Sequence, residues 1–467
     1  MEFITFTTEI LEKEILATVR EIGRQIGVKQ PSGISKGELI SKIIAIQEGR
    51  LEPIPKHKRG APPKQCIDVS RFYIQNTDSY SYDNVPRVND TITFRDSMLT
   101  LEGVLEIKKE GYGFIRANNY ENSKTDFHID SGLIRKYNLR TGDLVKATAF
   151  KKNVKEAPGV SEVLEINHRE PSYFANRKSF DDFTVLYPDN RLTLENAFCD
   201  NSMRIIDLLV PIGKGQRGLI VAPPKSGKTT FLKNIAKSIE EKHPAVKLIV
   251  LLIDERPEEV TDFKMSINSE VAYSTFDEAP EHHIRVAELV LNRAKRLVEM
   301  GSDVVILMDS ITRLARAYNN TVEPSGRTLS GGLDPRALQP AKSFFGAGRN
   351  TKEGGSLTMI ATALVDTESK LDDVIYEEFK GTGNMEIHLS RELAEKRVFP
   401  AIDLNKSGTR KDDYILTKEE LQASNKLRKL LATRRDATEV LLDMIDKTKT
   451  NAEFITKLDT WLKLYQR

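Results

Sequence analysis

Between positions 222 and 229 the chain reads Ala222-Pro223-Pro224-Lys225-Ser226-Gly227-Lys228-Thr229, residue types whose spacing suits the binding of a polyphosphate. The segment follows the apolar run 219–221 and opens a helical pattern with Phe231, Leu232, Ile235 and Ile239 on one face. In that context backbone N–H groups and a helix N-terminus converge on an anion. Lys228 supplies a point charge for the β- and γ-phosphates, and the Thr229 hydroxyl is a ligand for Mg²⁺. Ala222 stands where such loops usually begin with glycine, and a small side chain suffices there. The bland alternative is a chance Gly-Lys-Thr at a strand–turn–helix, and the flanking pattern argues against it.

Two carboxylates fit the same chemistry. The run Val304-Val305-Ile306-Leu307-Met308 ends in Asp309, where a Walker B acid holds the Mg²⁺ shell, probes of this kind being weak alone and strong beside a phosphate loop. The run 248–253 ends in Asp254-Glu255-Arg256, which places Glu255 at the carboxyl end of a neighbouring parallel strand and in the same crevice. Its natural task is to orient or deprotonate an attacking water; the competing reading is a solvated acidic turn.

A second chemistry is written at 111–116. Tyr112 and Phe114 lie two apart between Gly111 and Gly113, so both project from one face, with Arg116 next on it. Flat bases stack on such rings, although aromatics two apart equally describe a half-buried barrel core. Phe127-His128-Ile129 nearby resembles the second nucleic-acid-binding strand of cold-shock barrels, which favours the platform. His282-His283 lacks a spaced third ligand and reads as no metal site. The basic residues at 56–64 read as a solvated linker.

These residues need elements to hold them. Residues 1–50 carry small helical patterns, including Leu39, Ile40, Ile43 and Ile44 on one face. Residues 51–96, rich in proline, basic and polar types, read as a linker without assigned fold. From 97 to 168 short strands at 101–108, 111–116, 126–129 and 144–150 suit a small barrel. From 169 to 467 the chain turns α/β: apolar runs at 218–222, 247–253, 303–308 and 357–365 are candidate buried parallel strands. Helical patterns at 228–241 and 282–300 lie between them, and 417–466 is helical in several segments.

The 467 residues suggest about three domains. With 39% hydrophobic and 30% charged residues, the composition is that of a soluble globular protein. The net charge of +2 excludes a polycation, so nucleic-acid affinity must come from local patches. Cys66 and Cys199 fit neither a disulfide framework nor a zinc site. No apolar run reaches a membrane span and no signal peptide is read, so a cytoplasmic protein is expected.

The longer strings resemble a known family, that of the bacterial transcription termination factor Rho. They are Pro211-Ile212-Gly213-Lys214-Gly215-Gln216-Arg217-Gly218, the phosphate loop, and Leu252-Ile253-Asp254-Glu255-Arg256-Pro257-Glu258-Glu259-Val260. Further along stand Asp309-Ser310-Ile311-Thr312-Arg313-Leu314-Ala315-Arg316, Glu377-Glu378-Phe379-Lys380-Gly381-Thr382-Gly383-Asn384 and Glu395-Lys396-Arg397-Val398-Phe399-Pro400-Ala401-Ile402-Asp403. The barrel matches through 111–116 and Asn138-Leu139-Arg140-Thr141-Gly142-Asp143.

The resemblance implies a RecA-type parallel-sheet ATPase domain, preceded by a small helical domain and a cold-shock-like OB β-barrel. It implies a homohexameric, RNA-dependent ATPase and 5′-to-3′ translocase that uses ATP and Mg²⁺, grips single-stranded, pyrimidine-rich RNA and dissociates RNA polymerase elongation complexes. Lys225, Ser226, Gly227, Lys228, Thr229 and Thr230 would line the nucleotide, Phe399 would pack on adenine, and Thr229 and Asp309 would hold the metal. Glu255 would activate water, while Arg256 and Arg410 would reach a neighbouring subunit's nucleotide, Arg410 as the arginine finger. Tyr112, Phe114, Arg116, Phe127 and His128 would form a primary RNA site; Arg327, Thr328, Ser330, Gly331, Gly332 and Lys370 a secondary one in the ring's channel. Departures at His128, at Thr230 and in the tyrosine-free loop 152–161 bear on base preference rather than on hydrolysis. The alternative reading is a ring ATPase of the rotary or protein-export type, which gives Tyr112 and Phe114 no task.

Overall fold

In a computed structural model the chain divides into two compact units, residues 1–92 and 93–467. The structure describes Val19, Val28 and residues 35–47, 99–118, 120–121, 123, 126–150, 158–196, 201–326, 329–432, 434 and 436–465. The linker expected at 51–96 and, Val19 aside, the first helical pattern lie outside these. In the first unit α1 (Lys36–Gln47) buries Leu39, Ile40 and Ile43, the face its spacing predicts.

The second unit begins with five short strands: β1 (Leu99–Ile107), β2 (Gly113–Arg116), β3 (Phe127–Ile129), β4 (Leu144–Phe150) and β5 (Gly159–Ile166). They close a barrel in the order β1-β2-β3-β5-β4, around Leu105, Ile115, Phe127, Ile129, Val145, Ala147 and Ile166. Strand β5 was not among the expected ones. Between β3 and β4, α2 (Ser131–Lys136) is capped by Asp130, whose carboxylate accepts the Gly132 and Leu133 N–H groups. Gly113 is buried, and a Cβ there would lie 2.8 Å from the Glu106 carbonyl oxygen. The glycine therefore lets β1 and β2 approach.

The α/β half follows with β6 (Val185–Leu186), α3 (Asn201–Leu209), β7 (Arg217–Ala222), α4 (Lys228–Lys242), β8 (Lys247–Glu255), α5 (Pro257–Ser266), β9 (Glu270–Thr275), α6 (Pro280–Glu299), β10 (Val304–Asp309) and α7 (Ile311–Thr321). After these come α8 (Pro335–Gly346), β11 (Arg349–Thr351), β12 (Ser356–Leu364), α9 (Lys370–Lys380), β13 (Met385–Leu389), α10 (Arg391–Glu395) and β14 (Ile402–Thr409). The chain closes with α11 (Lys418–Leu431), α12 (Ala437–Ile445) and α13 (Asn451–Tyr465).

The main sheet runs β14-β13-β7-β12-β10-β8-β9, parallel from β13 to β9, with β14 antiparallel at the edge and β11 and β6 appended beside β12. Both faces are covered. Leu248, Val250 and Leu252 of β8 join α3, α4 and the C-terminal helices in one core, while Ile249, Leu251 and Ile253 join α6, α7 and α8 in the other. That is why the strands read as unbroken apolar runs. The carboxyl ends of β7, β12, β10 and β8 lie side by side, which sets the crevice for the site.

Candidate nucleotide site and nucleic-acid surface

The turn from β7 into α4 needs two left-handed residues, Lys225 at φ 64° and Gly227 at φ 86°, the latter capping the helix. Ala222 takes an ordinary conformation inside the core, so the position does not demand glycine. The Ser226 hydroxyl donates to the Pro223 carbonyl at 2.8 Å and holds the loop from within. Phe399 stands half exposed beside it, 3.9 Å from where a Gly227 Cβ would lie.

At the centre the Lys228 ammonium donates to Asp309 Oδ1 at 2.6 Å and to Glu255 Oε1 at 3.3 Å. Burial works against its charge, but Asp309 and then Glu255 outweigh burial and hold its pKa above the ordinary lysine value. Both carboxylates are buried, and each has a further partner. Arg313, one turn into α7, donates to Glu255 Oε2 at 2.9 Å, and the Thr362 hydroxyl of β12 donates to Asp309 Oδ1 at 2.8 Å. Asp309 Oδ2 is buried without a partner among the described residues, and the Thr229 hydroxyl donates to Glu259 Oε2 at 3.3 Å. Hard oxygen donors with an unspent acceptor among them fit Mg²⁺. Arg313 and Thr362 were missed by sequence reasoning, and so was the contact between Glu259 and Thr229. Thr362 is one of three buried polar residues in β12, beside Ser356 and Thr358, and carried no distinct signal; an arginine one turn past Asp309 was the available one.

Arg256 and Thr230 are exposed at the starts of α5 and α4. Arg410 is also exposed, and its side chain has no hydrogen bond or ion pair among the described residues; its N–H donates to the Asn384 carbonyl at 2.9 Å. The register carries it far from its own phosphate loop. Thr409 pairs with Met385, which pairs with Gly218 at the start of β7, whereas the loop leaves the other end of that strand.

On the barrel, Tyr112, Phe114 and His128 form a triangle of rings, with centroids 5.8, 5.4 and 5.6 Å apart, all partly exposed and outside the barrel core. Two expected members are not on the exposed face. Phe127 is buried in the barrel core, because adjacent strand residues face opposite sides and His128 faces out. Arg116 is not an exposed cation: it is buried under Phe114, its Cζ 4.7 Å from the ring centroid, donating to Glu106 at 2.8 Å and Asp126 at 2.7 Å. Two carboxylates on flanking segments outbid solvent for it. Asp126, not foreseen, keeps Oδ1 buried and unpaired among the described residues.

The segment at Ser330–Gly332 packs on the start of α9, where a Cβ on Gly331 would lie 2.8 Å from the Lys370 carbonyl oxygen. Ser330, Gly332 and Lys370 are exposed; Arg327 and Thr328 lie outside the described residues.

Because the barrel and the phosphate loop are built on different strands, Lys228→Ala is expected to abolish ATP hydrolysis and leave strand capture by the barrel within about twofold of normal. Equal loss of strand binding at saturating protein, in a variant with a native circular dichroism spectrum, would contradict that separation.

Comparison with known proteins gives two family matches within the second unit and relatives matched over most of the chain. Residues 202–409 match the nucleotide-binding domain of the ATP synthase alpha/beta family, and residues 101–172 match the RNA-binding domain of the Rho termination factor. The transcription termination factor Rho of Bacillus subtilis is 55% identical over 368 residues, 78% of this chain and 86% of that one. The protein of that name from Aquifex aeolicus is 44% identical over 463 residues, 97% and 96% of the two chains, and that from Escherichia coli 52% over 361 residues, 76% and 86%. A solved ATPase from the type III secretion system of pathogenic bacteria is similar at 25% identity and a TM-score of 0.49, covering 67% of this chain and 88% of that one. By sequence identity over most of its length, this chain belongs to the Rho family of transcription termination factors.

Proposed function

We propose that the chain is an RNA-dependent, Mg²⁺-requiring ATPase and 5′-to-3′ RNA translocase that works as a homohexameric ring and dissociates RNA polymerase elongation complexes. The observation that carries this reading is the pairing, within one compact unit, of the aromatic triangle on the barrel with the Lys228–Glu255–Asp309 cluster at the sheet. Among the described residues no helix is long and apolar enough to cross a membrane.

In the nucleotide site Lys225, Lys228 and the N–H groups of 226–229 hold the phosphates, Thr230 lies nearby, and Phe399 packs on the base. Thr229 and Asp309 would hold Mg²⁺, which would neutralise charge on the phosphates. Glu255 takes the water's proton; Arg313 and Lys228 fix its two oxygens so that it meets the water in one orientation. Arg256 and Arg410 act on a neighbouring copy's nucleotide. Ser330, Gly331, Gly332 and Lys370, with Arg327 and Thr328, grip RNA at the secondary site.

At the primary site bases stack on Tyr112, Phe114 and His128. Beneath them the unpaired Asp126 Oδ1 is an acceptor suited to the exocyclic amine of cytosine, and the Arg116 guanidinium is a donor for the acceptors beside that amine. This favours pyrimidines, cytosine above all.

The test is hydrolysis of ATP with and without nucleic acid. Cytosine-rich RNA is expected to stimulate turnover, and double-stranded DNA is not. Replacing Tyr112 and Phe114 together by Ala should weaken single-strand binding by about 1–3 kcal/mol per stacked base at fixed salt. Turnover indifferent to RNA would sink the reading; an unfolded double variant would assign the two rings to the barrel's stability instead.

A further inference from the structure

An ionic contact joins the floor of the aromatic triangle to α6, which in turn meets β9, the neighbour of the strand that carries Glu255. Glu106, buried at the end of β1, receives Arg116 on Oε2 at 2.7–2.8 Å, and the same oxygen receives Arg285 Nη1 of α6 at 3.1 Å. Lys108 meets the other oxygen. Burial works against the charge on Glu106, but Lys108, Arg116 and Arg285 outweigh burial and keep its pKa below the usual carboxylate value.

The second arm of Arg285, Nη2, lies 3.2 Å from His282 Nε2. A guanidinium only donates, so that ring nitrogen accepts and the proton sits on Nδ1. Nδ1 in turn faces Glu278 and the Ser274 hydroxyl, the latter at 2.8 Å. Ser274 is fully buried in β9 and also meets His283 Nδ1 at 2.7 Å and Glu278 at 2.7 Å. Strand β9 pairs with the end of β8: Ser274 lies opposite Ile253 and Thr275 opposite Glu255, whose carbonyl accepts the Phe276 N–H at 3.2 Å.

Other contacts between barrel and ATPase half have different ends. Tyr120 meets Glu270 at the start of β9; Arg293 donates to Asn167 at 2.5 Å, and Arg140 to Glu299 at 3.3 Å, along the later turns of α6. Those contacts hold the barrel in place without touching either the residues under the rings or the catalytic end of the sheet.

We propose that Arg285 is a positioning residue that couples occupancy of the barrel's aromatic site to the ATPase site. A base that engages Arg116 competes with Glu106 for the same guanidinium. Glu106 then holds Arg285 more firmly, and Arg285 shifts its hold on His282 and so on β9 and the Glu255 end of β8. A ligand changes a distant site only through such a difference in contacts between its bound and free states. The inference rests on the reading of the chain as an RNA-dependent ATPase.

The experiment compares the full chain with Arg285→Met, and with Arg285→Gln should the methionine variant fail to fold. Cytosine-rich RNA affinity, RNA-free hydrolysis and the KM for ATP are expected within about twofold of normal, while turnover at saturating RNA falls at least about fivefold. Arg285→Lys, which keeps a positive head against Glu106, recovers at least half of the lost stimulation. Stimulated turnover within about twofold of normal in the neutral variant would overturn the coupling. So would a loss of RNA affinity with full turnover at saturation, because Arg285 would then merely complete the barrel site. If the unaltered chain shows no RNA stimulation, the underlying reading fails instead, and the two failures are told apart by that one control.

Discussion

Glu255→Gln is expected to bind Mg-ATP normally and to lose about 10²–10⁴ in turnover, the range that a positioned general base contributes. The amide keeps the size of the carboxylate and its place at the end of β8, so Lys228 retains Asp309 at 2.6 Å and the phosphate loop keeps its shape. What disappears is the basic oxygen that Arg313 and Lys228 hold from either side. Nucleotide affinity read by equilibrium titration, beside single-turnover hydrolysis with RNA present, separates binding from chemistry. Turnover near normal would move the base elsewhere. Glu259, which already receives the Thr229 hydroxyl at 3.3 Å, would be the first place to look.

Arg410→Ala should bind ATP nearly normally, still assemble on RNA, and hydrolyse at least about a hundredfold more slowly. An arginine finger supplies roughly 10³–10⁵ in rate by meeting charge that develops on the transferring phosphoryl group. The structure gives this guanidinium no partner of its own among the described residues, and the antiparallel run of β14 ends it at the opposite end of the sheet from its own phosphate loop. The measurement is RNA-stimulated turnover at saturating ATP. A change within about threefold, equivalent to about 0.65 kcal/mol, would make Arg410 a surface residue and send the search for the finger elsewhere.

What could be read in the sequence was what chemistry ties to a fixed spacing. A phosphate loop needs its glycine and lysine at set positions between a strand and a helix, and the long buried strands announce themselves as apolar runs. Asp309 and Glu255 were legible because each ends such a run. Strand β9 was not, being short: Glu270–Thr275 alternates weakly. The error at Phe127 was avoidable, since neighbours in one strand cannot both face a ligand. The burial of Arg116 was not legible. Its place on the aromatic face follows from alternation, but its two carboxylate partners, each ten positions away, meet it only after the barrel closes.

The position of Arg410 also bears on how the amount of protein controls its rate. On the proposed assignment a solitary chain owns half of one reaction centre and half of another, and completes neither. Rate per chain should then climb with concentration until rings are full, as any activity does that exists only in the assembled form. Dilution would silence the protein without an inhibitor, and the level of expression would act as a threshold instead of a simple multiplier.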